Sequence, residues 1–243
     1  MKDQLLDIVQ HTHSLGNITM LKIIGTDAET KVNTSSEDRS VVVEAVFKGP
    51  IAEFIGTFGM PNLSKLNTIL NISEYREDAK IDMITKDIDG QKVPMGIHFE
   101  NKSGDFKNDF RFMTSEVVNE KLKTLKFKGV KWHVEIEPSV QGIQRLKFQA
   151  SANSEENHFT AKTDNGHLKF YFGDHSSHAG NFVFAPNVTG TLTKSWGWPV
   201  TAIVNILNLP GDKRMRFSDD GAVQITVDSG IAEWTYTLPG QVK

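Results

Sequence analysis

The chain contains no cysteine, almost no surplus of charge of either sign and no long apolar run. Without cysteine it has no disulfide framework, no thiolate zinc site and no cysteine nucleophile. No stretch approaches the ~18 consecutive apolar residues of a membrane helix, and the first residues lack the apolar core of a signal peptide. We therefore expect no disulfides, no membrane span and an intracellular, cytoplasmic location.

The charge balance argues against a protein that grips nucleic acid by its overall charge. Lys and Arg total 27 and Asp and Glu total 30, so the formal net charge is -3. Free-standing cationic DNA-binding proteins are usually far more basic. A local basic surface stays compatible with this composition, and 243 residues with 38% hydrophobic content are enough for one large or two ordinary domains.

Sequence motifs of common catalytic sites are also missing. No Walker-type phosphate loop, G-x-S-x-G elbow or His-Glu-x-x-His motif occurs. His11 and His13 would point about 200° apart on a helix. His175 and His178 have a spacing that would let them bind one metal ion, but no third ligand accompanies them. We predict no catalytic residue, no metal and no cofactor, and keep a metal-dependent hydrolase using His175 and His178 as a minor alternative.

Two tryptophans, Trp196 and Trp198, flank Gly197 directly before a predicted helix. Such a pair could be a stacking platform for bases. Packing at the helix entry is the favoured interpretation. The acidic run of Glu74, Glu77, Asp78 and Asp82 is interpreted as a solvated surface.

Three pairs of short segments recur at nearly one offset, which indicates an internal duplication. Thr26-Asp27 and Thr163-Asp164 are 137 positions apart, and Gly59-Met60-Pro61 and Gly197-Trp198-Pro199 are 138 apart. An asparagine follows each proline by six residues. The start of the chain corresponds, at an offset of 137, to the segment PSVQGIQRLKFQAS.

Each half is predicted to contain a helix, strands, a second helix and further strands. Apolar residues at spacings of three and four predict the buried faces of three helices. The first face is Leu5, Leu6, Ile8, Val9 and Thr12; the second, on a helix that starts at Pro61, is Leu63, Leu66, Ile69 and Leu70; the third, on a helix from 138 to 152, is Val140, Ile143, Leu146 and Ala150. A last helix is predicted to start at Pro199. Helices separated by several antiparallel strands predict an α+β fold of two similar domains. The boundaries are 1–112, a connector at 113–130, and 131–243.

The order of these elements resembles the DNA polymerase sliding clamps. The resemblance depends on the segments FIGTFGMPNLSKLNTILN, VKWHVEIEPSVQGIQRLKFQAS and SDDGAVQITVDSGIAEWTYTLPG. That family includes proliferating cell nuclear antigen and the processivity factors of T-even-type bacteriophages. Length and the lack of cysteine fit the phage branch best.

The resemblance implies a DNA clamp fold and a function without chemistry. It implies a homotrimer, closed head to tail into a ring around duplex DNA, that tethers the replicative DNA polymerase and is loaded by an ATP-dependent clamp loader. If the protein is viral, it would act in the cytoplasm of the host cell. A β-rich structural virion or scaffold protein without enzymatic activity is the alternative.

The resemblance also implies two sets of site residues. The DNA-facing set is Lys2, Lys65, Arg145, Lys147 and Lys194. Of these, Lys65 and Arg145 lie off the apolar faces of their helices, although a solvated surface cation would look the same. The second set would form a pocket for a partner peptide, and ordinary domain packing would explain it equally well; it comprises Leu122, Leu125 and Phe127 in the connector and Tyr236, Leu238 and Pro239 in the tail.

Overall fold

The computed structural model describes residues 1–88, 90–123, 129–174 and 178–242. It divides into two compact units, Met1–Leu125 with Ser229–Trp234, and Lys126–Asp228 with Thr235–Lys243. The first unit thus includes Ser229–Trp234, a short segment from near the C-terminus. Domain boundaries drawn as consecutive stretches of sequence do not separate this segment from the second unit. Within the described residues, no helix has the length and apolar character needed to cross a membrane.

The described residues of the first unit form three α-helices and seven complete strands. Its strands form the antiparallel arrays β4-β1-β2-β3 and β5-β6-β7. In chain order the elements are α1 (Lys2–His11), a 3₁₀ turn (His13–Leu15), β1 (Leu21–Gly25), β2 (Thr30–Ser35), β3 (Val42–Phe47), β4 (Gly56–Met60), α2 (Leu63–Leu70), a 3₁₀ turn (Ser73–Tyr75), β5 (Lys80–Ile88), β6 (Gln91–Glu100), β7 (Lys107–Arg111) and α3 (Ser115–Lys121).

In the described part of the second unit there are two α-helices, and the strands lie in the orders β11-β10-β9-β12-β16 and β15-β14-β13-β8. Its elements are β8 (Val134–Ile136), α4 (Val140–Ala152), β9 (His158–Asp164), β10 (His167–Phe172), β11 (Gly180–Ala185), β12 (Trp196–Pro199), α5 (Val200–Asn208), β13 (Asp212–Ser218), β14 (Ala222–Asp228), β15 (Ala232–Pro239) and β16 (Gln241–Val242). The first three residues of β15 belong to the first unit.

The same order of elements occurs in both halves. The array β4-β1-β2-β3 corresponds to β12-β9-β10-β11, and β5-β6-β7 corresponds to β13-β14-β15. Strand β10 begins 137 residues after β2, and helix α5 begins 137 residues after α2. The predicted α+β fold of two similar halves is confirmed.

Helix α1 packs against a tryptophan from the end of the chain. Leu5 and Ile8 are fully buried, as predicted, but Leu6 is 37% exposed and Asp7 is turned inward instead. The reason is Trp234, whose Nε1 donates a hydrogen bond to Asp7 Oδ2 at 2.9 Å. The indole also stacks on the His11 ring with centroids 5.2 Å apart. A buried indole N–H needs an acceptor, and Asp7 supplies it.

Stacked phenylalanines form the core of the second unit. Phe159 and Phe184 stack on Phe170 with centroid distances of 4.3 and 4.2 Å. Trp198 is 2% exposed, and Trp196 donates from Nε1 to the Asp219 carbonyl at 2.9 Å. The two tryptophans therefore pack at the entry to α5.

Capping side chains, rather than prolines, mark two of the helix starts. Helix α2 begins after Asn62, whose side chain accepts from Lys65 N at 3.2 Å. Helix α4 begins after Ser139, whose hydroxyl accepts from Gly142 N at 3.0 Å. The predicted starts at 61 and 138 were therefore too early, because the first orphan N–H groups of a helix select an oxygen-bearing N-cap residue.

Candidate functional site

The exposed surfaces of the helices form the first candidate site. On α2, Leu63, Leu66, Ile69 and Leu70 are buried as predicted, which leaves Ser64, Lys65 and Thr68 exposed. In the second unit α5 exposes Thr201 and Asn208. Each unit therefore presents helices whose outer faces carry mainly polar side chains.

Lys2 does not present its charge freely on this surface. Its Nζ donates to the carbonyl oxygens of Tyr75 at 2.6 Å and Arg76 at 3.0 Å. Both carbonyls lie at the end of the 3₁₀ turn 73–75. A cation is favourable at the C-terminal end of a helical turn, so the Lys2 ammonium stabilises the first unit in addition to any contact with a ligand.

Helix α4 buries Leu146 as predicted, and Ile143 and Ala150 are half-buried, but the first residue of the predicted stripe is exposed. Val140 was predicted to face inward but is 78% exposed, and the buried positions are Gly142 and Leu146. A Cβ on Gly142 would lie 2.7 Å from the Phe184 carbonyl oxygen. The helix crosses β11 this closely because the glycine has no side chain.

Arg145 and Lys147 differ in exposure on this helix. Arg145 is exposed, whereas Lys147 is half-buried. Gln141 and Gln144 are also exposed, and their spacing of three and four residues places them on one face with Arg145. Phe148, one turn further, is 70% exposed.

Lys194 lies in the loop before β12, where a carboxylate organises the backbone. The Asp219 carboxylate accepts from the amides of Thr193 and Lys194, at 3.1 and 3.2 Å, and from the Thr193 hydroxyl at 2.8 Å. Burial alone would raise the pKa of Asp219, but these hydrogen bonds outweigh it and the pKa lies below its ordinary value. Lys194 is exposed, and the Asp219 carboxylate binds its backbone N–H.

The second candidate site is a small groove in the first unit, open to solvent, with a volume of about 30 Å³. It lies between β2, β3 and the residues that follow α3, and its lining includes Lys22, Asn33, Val42, Glu44, Leu122 and Lys123. Lys22 is only 5% exposed and donates from Nζ to Asn119 Oδ1 at 3.4 Å. The contribution of β2 and β3 to this groove was not predicted, because nothing in the sequence indicates which strand faces the end of α3.

Of the six residues predicted for a partner pocket, Leu122 lines this groove. Leu125 and Phe127 lie outside the described residues. Tyr236 and Leu238 are 0% exposed, so they contribute to the core and offer no surface to a peptide. Pro239 is exposed. The prediction is therefore corrected for Tyr236 and Leu238.

Strand β7 is the last strand of its array, and the described residues provide it with a neighbouring strand on one side. Asn101 N donates to Phe106 O at 3.0 Å, and Phe112 N donates to Met95 O at 2.9 Å. Because antiparallel ladders alternate, residues 107, 109 and 111 direct their backbone groups away from β6. In the second unit, β11 is likewise the last strand of its array.

An ion-pair cluster joins β7 to β6 through His98. Asp109 Oδ1 lies 2.7 Å from His98 Nδ1, and Glu100 Oε2 lies 3.3 Å from Nε2. Across the sheet, the facing charged groups are Asp82 and Lys80 on β5 and Lys107 on β7. The hydrogen bond that His98 donates to Asp109, assisted by Glu100, raises the pKa of His98 above its ordinary value despite partial burial.

Replacing His98 with glutamine should lower stability in acid more than in base. A raised folded-state pKa stabilises the fold below the unfolded-state value of about 6.5, and this contribution disappears as the pH rises through the folded-state pKa. We expect a difference in Tm between His98→Gln and the native protein at pH 6 that shrinks by pH 8 to 9. A difference that is constant over this range would show that protonation of His98 does not stabilise the fold.

Within the described residues, no cluster of three or more histidines and carboxylates could hold a metal ion. The alternative site used His175, which lies outside the described residues, together with His178. His11 is 1% exposed and packs in the core of the first unit.

No family model matches this chain, and no curated protein matches it. Solved structures match over nearly their whole length. The structure of A. fulgidus PCNA bound to the C-terminal region of FEN-1 has a TM-score of 0.72 at 9% identity, over 100% of this chain and 97% of that one. PCNA from Thermococcus kodakaraensis has a TM-score of 0.69 at 10% identity, over 99% and 97%.

Proliferating cellular nuclear antigen from Entamoeba histolytica has a TM-score of 0.67 at 12% identity, over 97% of this chain and 94% of that one. The chain therefore has the DNA clamp fold, which confirms the predicted fold class. At these identities the likeness establishes the fold alone, and function requires further argument.

Proposed function

We propose that this protein is a sliding clamp that encircles duplex DNA and tethers a replicative DNA polymerase. The observation that carries the proposal is the full-length match to clamp structures, reached by a chain with the same element order in both halves. A clamp needs no catalytic residue, because its specificity is topological. An ATP-dependent loader would place the ring on DNA.

The distribution of charge supports DNA contact through the helices. Helices α1, α2, α4 and α5 contain Lys2, Lys65, Arg145 and Lys147 against Asp3 and Asp7, and Asp7 is buried. The whole chain, by contrast, carries a net charge of -3. These helices therefore carry a small excess of positive charge in a weakly negative protein, which suits a sequence-independent contact with phosphates.

The duplication suggests how the ring closes. Within the first unit, Lys48 N at the end of β3 donates to the carbonyl oxygen of Ile231, directly before β15, at 3.0 Å. By the correspondence of the halves, β11 is the counterpart of β3 and β7 the counterpart of β15. Pairing β11 of one protomer with β7 of the next would repeat this arrangement and generate a closed homotrimer.

Light scattering over a concentration series tests the ring. Three chains of 27.1 kDa give a mass near 81 kDa, and such a species that also increases the processivity of the polymerase supports the clamp. A persistent monomer that has no effect on processivity, even with loader and DNA present, would favour the structural or scaffold alternative.

We further propose that the groove beside Leu122 binds a short segment of partner proteins. The A. fulgidus PCNA structure has the C-terminal region of FEN-1 bound, which supports peptide binding by this fold. Length and the absence of cysteine support assignment to the T-even-type phage branch, with action in the host cytoplasm.

Replacing Leu122 with aspartate should weaken polymerase binding about tenfold or more, since a carboxylate in an apolar contact loses at least ~1.4 kcal/mol. The mass of the ring should not change. Titration of the labelled clamp with polymerase measures the effect. The matched control is Val117→Asp, because Val117 is 41% exposed and does not line the groove. Equal affinities for both variants would remove Leu122 from the binding site.

A further inference from the structure

The helix surfaces proposed to meet DNA carry far more neutral donors than cations. Fully exposed cations on α1, α2, α4 and α5, all of which the structure describes, are confined to Lys65 and Arg145. Neutral amides and hydroxyls are four times as numerous among the exposed residues of these helices, namely Gln10, Ser64, Thr68, Gln141, Gln144, Ser151, Thr201 and Asn208.

The other predicted DNA-facing cations are engaged or partly covered. The Lys2 ammonium donates to two carbonyl oxygens of its own chain. Lys147 is half-buried, and Lys194 lies beside the Asp219 carboxylate that binds its amide. The carbonyl contacts occupy two of the three N–H donors of Lys2, and the Asp219 carboxylate offsets positive charge near Lys194.

From this arrangement we infer that the clamp holds duplex DNA mainly through neutral amide and hydroxyl donors to phosphate oxygens, with Lys65 and Arg145 supplying a minor ionic part. The inference rests on the proposed function. On α4 the amides of Gln141 and Gln144 flank Arg145 on the exposed face, and each amide has two N–H donors. Asn, Gln, Ser and Thr side chains are ordinary phosphate ligands that carry no sequence information.

The two kinds of contact respond differently to salt. A cation that neutralises a phosphate releases a counterion, and each such contact adds about −0.9 to the slope of log K against log salt concentration. A hydrogen bond from a neutral donor releases none. A homotrimeric ring carries three copies each of Lys65 and Arg145, so the structure predicts weak binding with a slope no steeper than about −5.

The test is fluorescence anisotropy of a labelled 30-base-pair duplex of arbitrary sequence, titrated with the assembled protein at several salt concentrations. We expect Gln141→Ala/Gln144→Ala to lower the affinity at least roughly tenfold, because each protomer of the ring loses two hydrogen-bond donors, with an unchanged slope. Arg145→Ala should make the slope shallower by up to about 2.7, because the ring loses three arginines. Gln241→Ala is the matched control, since Gln241 is exposed but lies outside the helices.

Alanine favours helix, so the double variant should keep its fold, and circular dichroism checks this. A native slope much steeper than about −5, or a double variant that binds as tightly as the control, would overturn the inference and leave the clamp function standing. Native protein that forms the ring but holds no duplex at low salt, even with loader and ATP present, would overturn both. The inference is supported if the native protein has a shallow slope and the double variant has the same slope but a lower affinity.

Discussion

Replacing Asp109 with proline should dissociate the ring into 27.1 kDa monomers while leaving each monomer folded. Asp109 lies in the middle of β7, and its backbone groups point away from β6, as the hydrogen bonds of Phe106 and Phe112 show. Proline removes the N–H that a neighbouring strand would bond, and its ring obstructs the approach. Loss of a bond worth about 1 kcal/mol, with added steric conflict, should weaken each interface at least about tenfold.

Analytical ultracentrifugation over a concentration series measures this effect, and thermal melting of the monomer checks that the fold persists. Asp109→Ala is the matched control, because it also loses the contact with His98 but keeps the backbone N–H. The expected result is a ring for alanine and a monomer for proline. A proline variant that forms the ring as well as the alanine variant would show that β7 is not an interface strand.

Replacing Trp234 with alanine should lower the free energy of unfolding by about 3–5 kcal/mol, the usual cost of removing a large buried aromatic side chain. Trp234 is 0% exposed, stacks on His11 and meets Phe47 edge-on at 6.4 Å. The truncation also leaves Asp7, 6% exposed, without its indole donor. Urea denaturation followed by circular dichroism measures the loss.

Two further variants separate packing from hydrogen bonding at this position. Trp234→Phe fills much of the space but has no N–H, so Asp7 Oδ2 loses its donor while Asp7 Oδ1 keeps its contact with His11 Nδ1 at 3.2 Å. The loss should cost about 1–3 kcal/mol. Combining it with Asp7→Leu should recover part of that loss, because both polar partners are then replaced by apolar groups. If Trp234→Phe is as stable as the native protein, the indole hydrogen bond does not stabilise the fold.

The predicted site residues show how far local patterns extend. Periodicity identified the buried stripe of α2 and the exposure of Lys65 and Arg145, because a helix repeats every 3.6 residues whatever it packs against. It could not show that the ammonium of Lys2 reaches the carbonyl of Tyr75, 73 residues away. It also missed that Tyr236, Thr237 and Leu238 are all buried, since a strand covered on both faces does not alternate.

By itself the sequence determined the absence of disulfides, the α+β class, the duplication and the approximate bounds of the helices. Composition, turn residues and short periods depend on neighbours a few positions apart, so they can be read without coordinates. Only the tertiary structure decided that Asp7 faces Trp234, that β2 and β3 line a groove with Leu122, and that β7 and β11 are outer strands. Those features depend on contacts between residues far apart in sequence, and no local pattern encodes such contacts.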